Sequence, residues 1–193
     1  MKKIIAGSLI ASSLLWGSNS IELNINNNTL ELGADYSLNS SYMLNDDSNY
    51  FLTVKYLGSE EENSNKSTQR LLSVGLKVIN PYIDDHGFSL GLGMKTVVAD
   101  NYSSESFIAT PLELFATYNV NEQLSIETQV GYAPKILTFL DGNTYKDAML
   151  KVNYRIIDNG YVYVGGRKIK TEYEDIGTIE YDDSVFFGYK ITF

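Results

Sequence analysis

Apolar and polar residues alternate along most of this chain of 193 residues. In one segment, for example, Leu30, Leu32 and Ala34 are interleaved with Glu31 and Gly33. Successive side chains of a β-strand point to opposite faces, so this period of two places the apolar and polar residues on opposite sides of a strand. The pattern predicts an all-β protein.

Ten segments follow this pattern. Several exceed the five or six residues of a typical soluble strand and match the roughly 9–11 residues of a tilted membrane strand. Short turns such as Asp158-Asn159-Gly160 alternate with longer loops such as 134–144, as in bacterial membrane barrels. We therefore predict a transmembrane antiparallel up-and-down β-barrel of ten strands, with eight as the alternative count. The predicted strands are 21–26, 29–38, 50–58, 68–79, 87–98, 107–120, 123–133, 145–156, 160–171 and 181–193.

Two features complicate the strand assignment. Pro111 falls inside the sixth segment and has no N–H to donate, so we expect a bulge there or a later start of that strand. The connection 39–49 is long for a turn at the inner end of a barrel, and the first strand is short. The eight-strand alternative rests on this connection and this strand.

The amino-terminal residues have the order of a secretory signal. Met1-Lys2-Lys3 is basic, an apolar run covers 4–16, and small residues follow at 18–20. The run is shorter than the roughly 20 residues that a membrane-spanning helix needs. We expect residues 1–20 to be a signal peptide and residues 21–193 to form a single exported domain.

Composition narrows the classes of function. The chain has 15 basic and 24 acidic residues, which argues against binding to nucleic acid. It has no cysteine, which fits export without a disulfide framework. The mean hydropathy of -0.15 keeps a soluble periplasmic β-sandwich open as an alternative, since a sandwich produces the same alternation.

The polar face of the predicted strands carries acids, bases and glycines. In a closed barrel these residues point into the lumen, where opposite charges pair and glycines leave room for long side chains. The expected lumen-lining residues are Glu31, Asp35, Lys55, Lys77, Lys95, Glu113, Glu127, Lys151, Arg155, Arg167 and Lys190.

Aromatic residues on the apolar face mark both ends of the predicted strands. Such residues form girdles at the two interfaces of a membrane barrel. The inner girdle is expected to contain Tyr36, Tyr50, Phe88, Tyr118, Tyr154 and Phe193. The outer girdle is expected to contain Tyr56, Tyr132 and Tyr181.

The last predicted strand ends with alternating apolar residues, Phe187, Tyr189, Ile191 and Phe193. This ending resembles the carboxyl-terminal signal that the outer-membrane assembly machinery recognises. We expect the mature chain in the outer membrane of a Gram-negative bacterium. Its expected partners are outer-membrane lipid, lipopolysaccharide and, during insertion, the assembly machinery; the oligomeric state stays open.

Residues for catalysis are scarce. The single histidine, His86, follows Asp84 and Asp85 in a segment that we interpret as a solvated turn. The acidic pairs and runs at Asp46-Asp47 and 60–62 lack the ligand spacing of a calcium loop. We expect no catalytic, cofactor or metal site, and the chain is not predicted to be an enzyme.

Four motifs resemble the YfaZ family of outer-membrane proteins. The resemblance implies a location and a fold, and it implies no activity. The Asn-rich beginning departs from the family, as does Gly166 where an aromatic residue is expected, so the strand phase of 160–171 stays open. The motifs are Leu90-Gly91-Leu92-Gly93-Met94-Lys95, Gly131-Tyr132-Ala133-Pro134, Val164-Gly165-Gly166-Arg167 and the aromatic end.

Two functions fit such a barrel. The first is a structural barrel or narrow channel whose ion-paired lumen passes small solutes slowly or not at all. The second is a surface-binding barrel that acts through outer loops such as 59–67 and 134–144. Whether the lumen is open, and to which solute, is not determined by the sequence.

Overall fold

The computed structural model describes residues 19–38, 48–60, 68–80, 87–100, 106–174 and 177–193. Within these ranges no helix has the length and apolar character needed to cross a bilayer. A 3-10 turn, η1, covers Lys135–Leu137. The strands are β1 (Ser20–Ile25), β2 (Thr29–Ser37), β3 (Asn49–Glu60), β4 (Thr68–Asn80), β5 (Phe88–Asp100), β6 (Ser106–Ala109), β7 (Leu112–Asn119), β8 (Leu124–Ala133), β9 (Thr138–Leu140), β10 (Gly142–Ile157), β11 (Gly160–Tyr173) and β12 (Gly177–Thr192).

Ten of these strands close into one antiparallel ring. The order around the ring is β4, β3, β2, β1, β12, β11, β10, β8, β7 and β5, and pairing of β5 with β4 completes it. The prediction of a ten-stranded barrel is confirmed, and the eight-strand alternative is wrong. The soluble sandwich is also wrong, because one sheet closes on itself and no second sheet packs against it among the described residues.

The two remaining strands extend interrupted strands of the ring. β6 pairs with the outer half of β5 and continues the line of β7, while β9 continues β8 and pairs with β6. The break between β6 and β7 falls at Thr110 and Pro111, where the expected irregularity is confirmed. The carbonyl of Pro111 accepts a bond of 3.3 Å from Lys95 N, while Thr110 N donates to Leu137 O at 2.8 Å.

The ladder register fixes the tilt of the strands. A path that starts at Phe88 on β5 and steps from partner to partner returns to β5 at Asp100, twelve residues higher. For ten strands, this shear implies a tilt of about 40° and a radius of about 10 Å, and each residue rises about 2.5 Å along the axis. The path runs through Tyr118, Ile126, Val152, Val164, Phe187, Ile25, Leu30, Gly58 and Arg70.

The outer surface of the ring is apolar. On β2, Leu30 and Leu32 are 44% and 48% exposed, whereas Glu31 between them is 5% exposed. Apolar side chains point outward along the other strands as well, and a continuous band of this kind exceeds the patches that soluble monomers expose. Contact with lipid removes this apolar band from water, so the fold is a membrane barrel. We call the end where β12 finishes the inner end.

A bulge in β12 reverses the expected orientation of one residue, and the burial of the β11 side chains gives the phase of that strand. Ile169 pairs with Asp182 and Lys170 pairs with Glu180, which leaves Tyr181 as the extra residue. Tyr181 therefore turns into the barrel, where it is buried, and its assignment to the outer aromatic girdle is wrong. On β11, Arg167 points inward and Gly166 faces outward.

Candidate functional site

The inner half of the lumen is crossed by a group of four charged side chains, which we call the inner ion cluster. Lys151 lies at its centre, with its Nζ 3.1 Å from Glu22 Oε2 and 3.2 Å from Glu127 Oε2. Lys55 Nζ lies 3.2 Å from the other oxygen of Glu22. These residues come from β10, β1, β8 and β3, so the cluster joins widely separated parts of the wall.

A second ion pair lies closer to the inner mouth. Lys77 Nζ is 2.8 Å from Asp35 Oδ2, and Ser20 Oγ donates to the same oxygen at 3.3 Å. The ammonium also lies 5.2 Å from the centroid of the Phe51 ring and 5.9 Å from that of Phe115, distances typical of cation–π contacts. Several weak interactions thus hold one lysine in the bore.

Two further groups lie above the inner ion cluster, and we call them together the outer ion layer. In the first, Lys95 Nζ is 2.7 Å from Glu113 Oε1 and 2.6 Å from Asp147 Oδ2. Gln129 Nε2 donates to Glu113 at 2.6 Å. All four side chains are largely removed from solvent, so their charges are compensated inside the wall.

Arg167 organises the second group of this layer. Its Nη1 lies 2.6 Å from Glu31 Oε2, and its Nε and Nη2 both approach Asp182 Oδ2, at 2.8 and 2.5 Å. Asn24 Nδ2 donates to Glu31 at 2.6 Å and Thr29 Oγ1 to Asp182 at 3.4 Å. Arg167 thereby binds an acid of the neighbouring strand β12 and connects β11 to β2 across the lumen.

An apolar plug fills the outer half of the lumen. The Phe107 ring lies 5.8 Å from those of Tyr145 and Tyr181 and 6.0 Å from that of Tyr173, measured between centroids. The hydroxyls of Tyr173 and Tyr181 share a hydrogen bond of 2.5 Å. The buried residues Leu57, Leu71, Val97, Ala99, Ala109, Ala133 and Ile169 pack with these rings.

Little space remains between the plug and the charged side chains. A cavity of about 40 Å³ is lined by residues of both, including Lys95, Tyr145 and Arg167. A water molecule needs roughly 10–15 Å³ by this measure, so the cavity holds a few waters and no organic solute. At this level of the lumen the described residues thus leave room for water alone.

A comparison of sequences identifies the family. The family described as YfaZ precursor matches residues 1–193. The chain belongs to the YfaZ family. No curated protein matches the chain significantly.

Several solved outer-membrane proteins are similar in fold to this YfaZ family member. Outer-membrane expressed OmpT of Vibrio cholerae is 12% identical, with 86% of this chain and 56% of that chain covered and a TM-score of 0.40. The outer membrane channel DcaP of Acinetobacter baumannii is 13% identical, with 90% and 62% covered and a TM-score of 0.42. The chain thus spans less than two thirds of either. The NanC porin is 9% identical, with 91% and 98% covered and a TM-score of 0.41.

Nine of the eleven predicted lumen residues form ion pairs in this barrel, and the other two do not. Lys190 on β12 and Arg155 on β10 have no carboxylate oxygen within 4 Å among the described residues. The nine are Glu31, Asp35, Lys55, Lys77, Lys95, Glu113, Glu127, Lys151 and Arg167.

Sequence reasoning missed several residues of the lumen. Glu22 lies in the short first strand, and Asp182 lies on the inward face of β12 beside the bulge and was not among the charged residues assigned to the lumen. The plug was missed because its residues lie on the strand face that is otherwise polar. The signal in the sequence was pairs of adjacent apolar residues such as Leu71-Leu72. One residue of such a pair points into the lumen and the other points outward.

Other predicted residues lie elsewhere. Phe187, Ile191 and Phe193 point outward, with exposed fractions of 70%, 44% and 43%, and Tyr189 is half-buried. Recognition of these four by the assembly machinery stays a prediction. Residues 1–18, Asp46-Asp47, 61–62, Asp84, Asp85 and His86 lie outside the described residues.

Proposed function

We propose that this YfaZ family member is a non-enzymatic barrel of the Gram-negative outer membrane with an occluded, ion-paired lumen. Its role is structural, or it passes small solutes at a very low rate. The observation that carries the proposal is the set of side chains inside the ring, two charged levels and an apolar plug, with a cavity of about 40 Å³ between the plug and the charged residues.

The energetics of the lumen support a closed state. A radius of about 10 Å, measured to the backbone, leaves a bore that long side chains can fill. A solute that crosses it must separate buried ion pairs such as Lys151–Glu22 and Arg167–Asp182. Separating a buried pair costs about 3–5 kcal/mol, so several pairs in series form a high barrier.

The outer membrane is the location that the surface supports. A closed ring with an apolar exterior and a polar interior is the form in which β-strands satisfy their backbone groups in lipid. Tyr36 and Tyr118 lie outward near the inner end, and Tyr56 and Tyr132 lie outward near the outer end, at 39–48% exposure. Lipid and lipopolysaccharide are the proposed surroundings, and the assembly machinery is the proposed partner for insertion.

Single-channel recording in planar bilayers tests the closed lumen. Before recording, a gel is used to check that the unboiled protein migrates faster than the boiled protein. Faster migration shows that the barrel has closed. We expect absent or very small conductance steps from this folded sample. A large, stable and weakly selective pore would contradict the proposal.

A second function is favoured by one surface feature. In the outer loop that contains η1 and β9, Ile136, Phe139 and Leu140 are 81%, 52% and 62% exposed. Such residues could bind the surface of another protein or cell. The double substitution Ile136→Ser and Phe139→Ser should then reduce attachment of expressing cells while the gel shift is unchanged, and equal attachment would exclude this function.

A further inference from the structure

The wall of the barrel has a notch at its outer end. Pairing of β1 with β12 ends at Ile25 and Phe187, although β12 begins at Gly177. Within the described residues, the segment 177–186 therefore has a partner strand on one side only, β11. The short β1–β2 hairpin forms the floor of a cavity of about 590 Å³ beside this free edge.

The notch lies at the border of the apolar band. Seven steps along the ladder path lead from Phe88 to Leu30, and each step rises about 3 Å, so the floor lies about 22 Å above the inner end. Phe187 and Leu30, at or below this level, are 70% and 44% exposed to the outside. Above it the outward residues include Asp183 and Lys168, which form an ion pair. This level corresponds to the head groups of the outer leaflet, since apolar bands of such barrels are about 25 Å tall.

The lining of the notch is polar, and the charged side chains in it are all carboxylates. Asn27 and Asn28 at the hairpin tip are exposed, and Gln69 and Ser59 line the side formed by β3 and β4. Asn26 holds the tip in place, because its Oδ1 accepts hydrogen bonds from Asn28 N at 2.8 Å and Thr29 N at 2.6 Å. Amide groups both donate and accept, which matches sugar hydroxyls.

The nearby charges are already paired. Asp182 binds Arg167, while Glu180 and Asp183 share Lys168. Among the described residues no lysine or arginine lines the cavity, so this part of the lining offers no cation to a phosphate. The free backbone groups of β12 add further donors and acceptors along one side. Phe187 and Val185 at the lower rim give an apolar exit toward the bilayer.

We propose that the notch binds the sugar head group of an outer-leaflet glycolipid. The exposed amides and the free edge of β12 bind the sugar hydroxyls, and the acyl chains descend over Val185 and Phe187. The inference rests on the outer-membrane location proposed above and is independent of whether the lumen conducts.

Lipid retention by the folded barrel tests the site. The protein is placed in nanodiscs that contain rough lipopolysaccharide, and the lipid retained after release is counted by native mass spectrometry. We expect the double substitution Asn27→Ala and Asn28→Ala to weaken retention about tenfold, as expected for the loss of one or two hydrogen bonds. Asn159→Ala, in an exposed turn at the inner end, is the matched control and should change nothing.

Each alternative outcome is decisive. The site would be overturned if the Asn27→Ala and Asn28→Ala double variant retained as much lipopolysaccharide as Asn159→Ala. It would also be overturned if the double variant lost phosphatidylglycerol to the same extent as lipopolysaccharide. If the free core oligosaccharide bound with the same affinity as the lipopolysaccharide, the ligand would be a soluble sugar. If two barrels paired along β12, the occupant of the notch would be a second copy of the chain. Either result would overturn the proposal. A heat-modifiable barrel that retains no glycolipid contradicts this inference alone, whereas a chain that enters no membrane contradicts the proposed function.

Discussion

Lys151 and Glu22 are separated by 129 residues in the chain, yet Lys151 Nζ lies 3.1 Å from Glu22 Oε2 inside the barrel. Their strands, β10 and β1, are three positions apart around the ring. A contact between such strands must pass through the lumen. This pair therefore lies inside the lumen and connects separate parts of the wall.

Removing the central lysine should destabilise the barrel strongly. Lys151→Met leaves Glu127 without a cation within 4 Å among the described residues, while Glu22 keeps Lys55. Loss of one partner of a buried pair costs about 3–5 kcal/mol. Urea unfolding in lipid vesicles measures the change in the free energy of unfolding.

Two variants complete this test. Adding Glu127→Gln to Lys151→Met should restore most of the lost stability, because no unpaired carboxylate remains. Lys135→Met removes a cation from the exposed pair with Glu174 and should cost at most about 1 kcal/mol. Equal losses for Lys151→Met and Lys135→Met would show that the inner ion cluster does not contribute.

Two adjacent glycines should respond differently to the same substitution. A Cβ at Gly165 would lie 2.6 Å from Phe186 Cζ and 2.7 Å from Leu150 O, whereas a Cβ at Gly166 meets nothing within 4 Å. We expect Gly165→Ala to cost about 1–3 kcal/mol through overpacking. Gly166→Ala should stay within about 0.5 kcal/mol. If β11 had the opposite phase, with Gly166 facing the lumen, Gly165→Ala would no longer cost more than Gly166→Ala.

A charge in the apolar band should be costly only in lipid. Leu92 on β5 is 67% exposed and lies near the middle of the band, about 10 Å above Phe88. We expect Leu92→Arg to destabilise the barrel by about 2–4 kcal/mol in vesicles. Ile136→Arg, at an exposed residue of the outer loop, is the control and should change stability by at most about 0.5 kcal/mol. Equal effects would argue against membrane insertion at this level.

Opening the lumen should require changes at three levels, the plug, the outer ion layer and the inner ion cluster. Phe107→Ala with Tyr181→Ala removes much of the plug, but the outer ion layer still blocks the bore beneath it. Adding Glu31→Ala and Arg167→Ala should still give no conductance steps, because the inner ion cluster crosses the lumen below. Further addition of Glu22→Ala and Lys151→Ala should produce measurable conductance steps in planar bilayers. The gel shift of the unboiled sample shows whether each variant is folded. A folded plug variant that conducts alone would show that the charged residues form no barrier.

Much of the fold follows from periodicity. The alternation around Leu30 and Leu32 is strong because each strand has lipid on one side and a polar lumen on the other. Pro111 marked an irregularity correctly, because a missing N–H constrains any ladder. Charged residues on the polar face, such as Lys95 and Glu113, were assigned to the lumen for the same reason.

The rest could not be read from the pattern. A single extra residue in β12 turns Tyr181 inward, and the sequence around it has no glycine or proline to reveal the bulge. Phe107 and Tyr145 meet only because β6 and β10 approach each other across the outer lumen. Contacts of this kind depend on closure and shear, which alternation does not encode.

The pairing of β1 with β12 has a consequence for the order of folding. Ile21 pairs with Ile191, so this seam joins segments that are far apart in the chain. Until this pairing forms, Glu22 faces an incomplete ring, and the sheet has an unpaired edge at β12. Productive assembly therefore depends on shielding that edge, and closure at this one seam converts a set of hairpins into a cooperative unit.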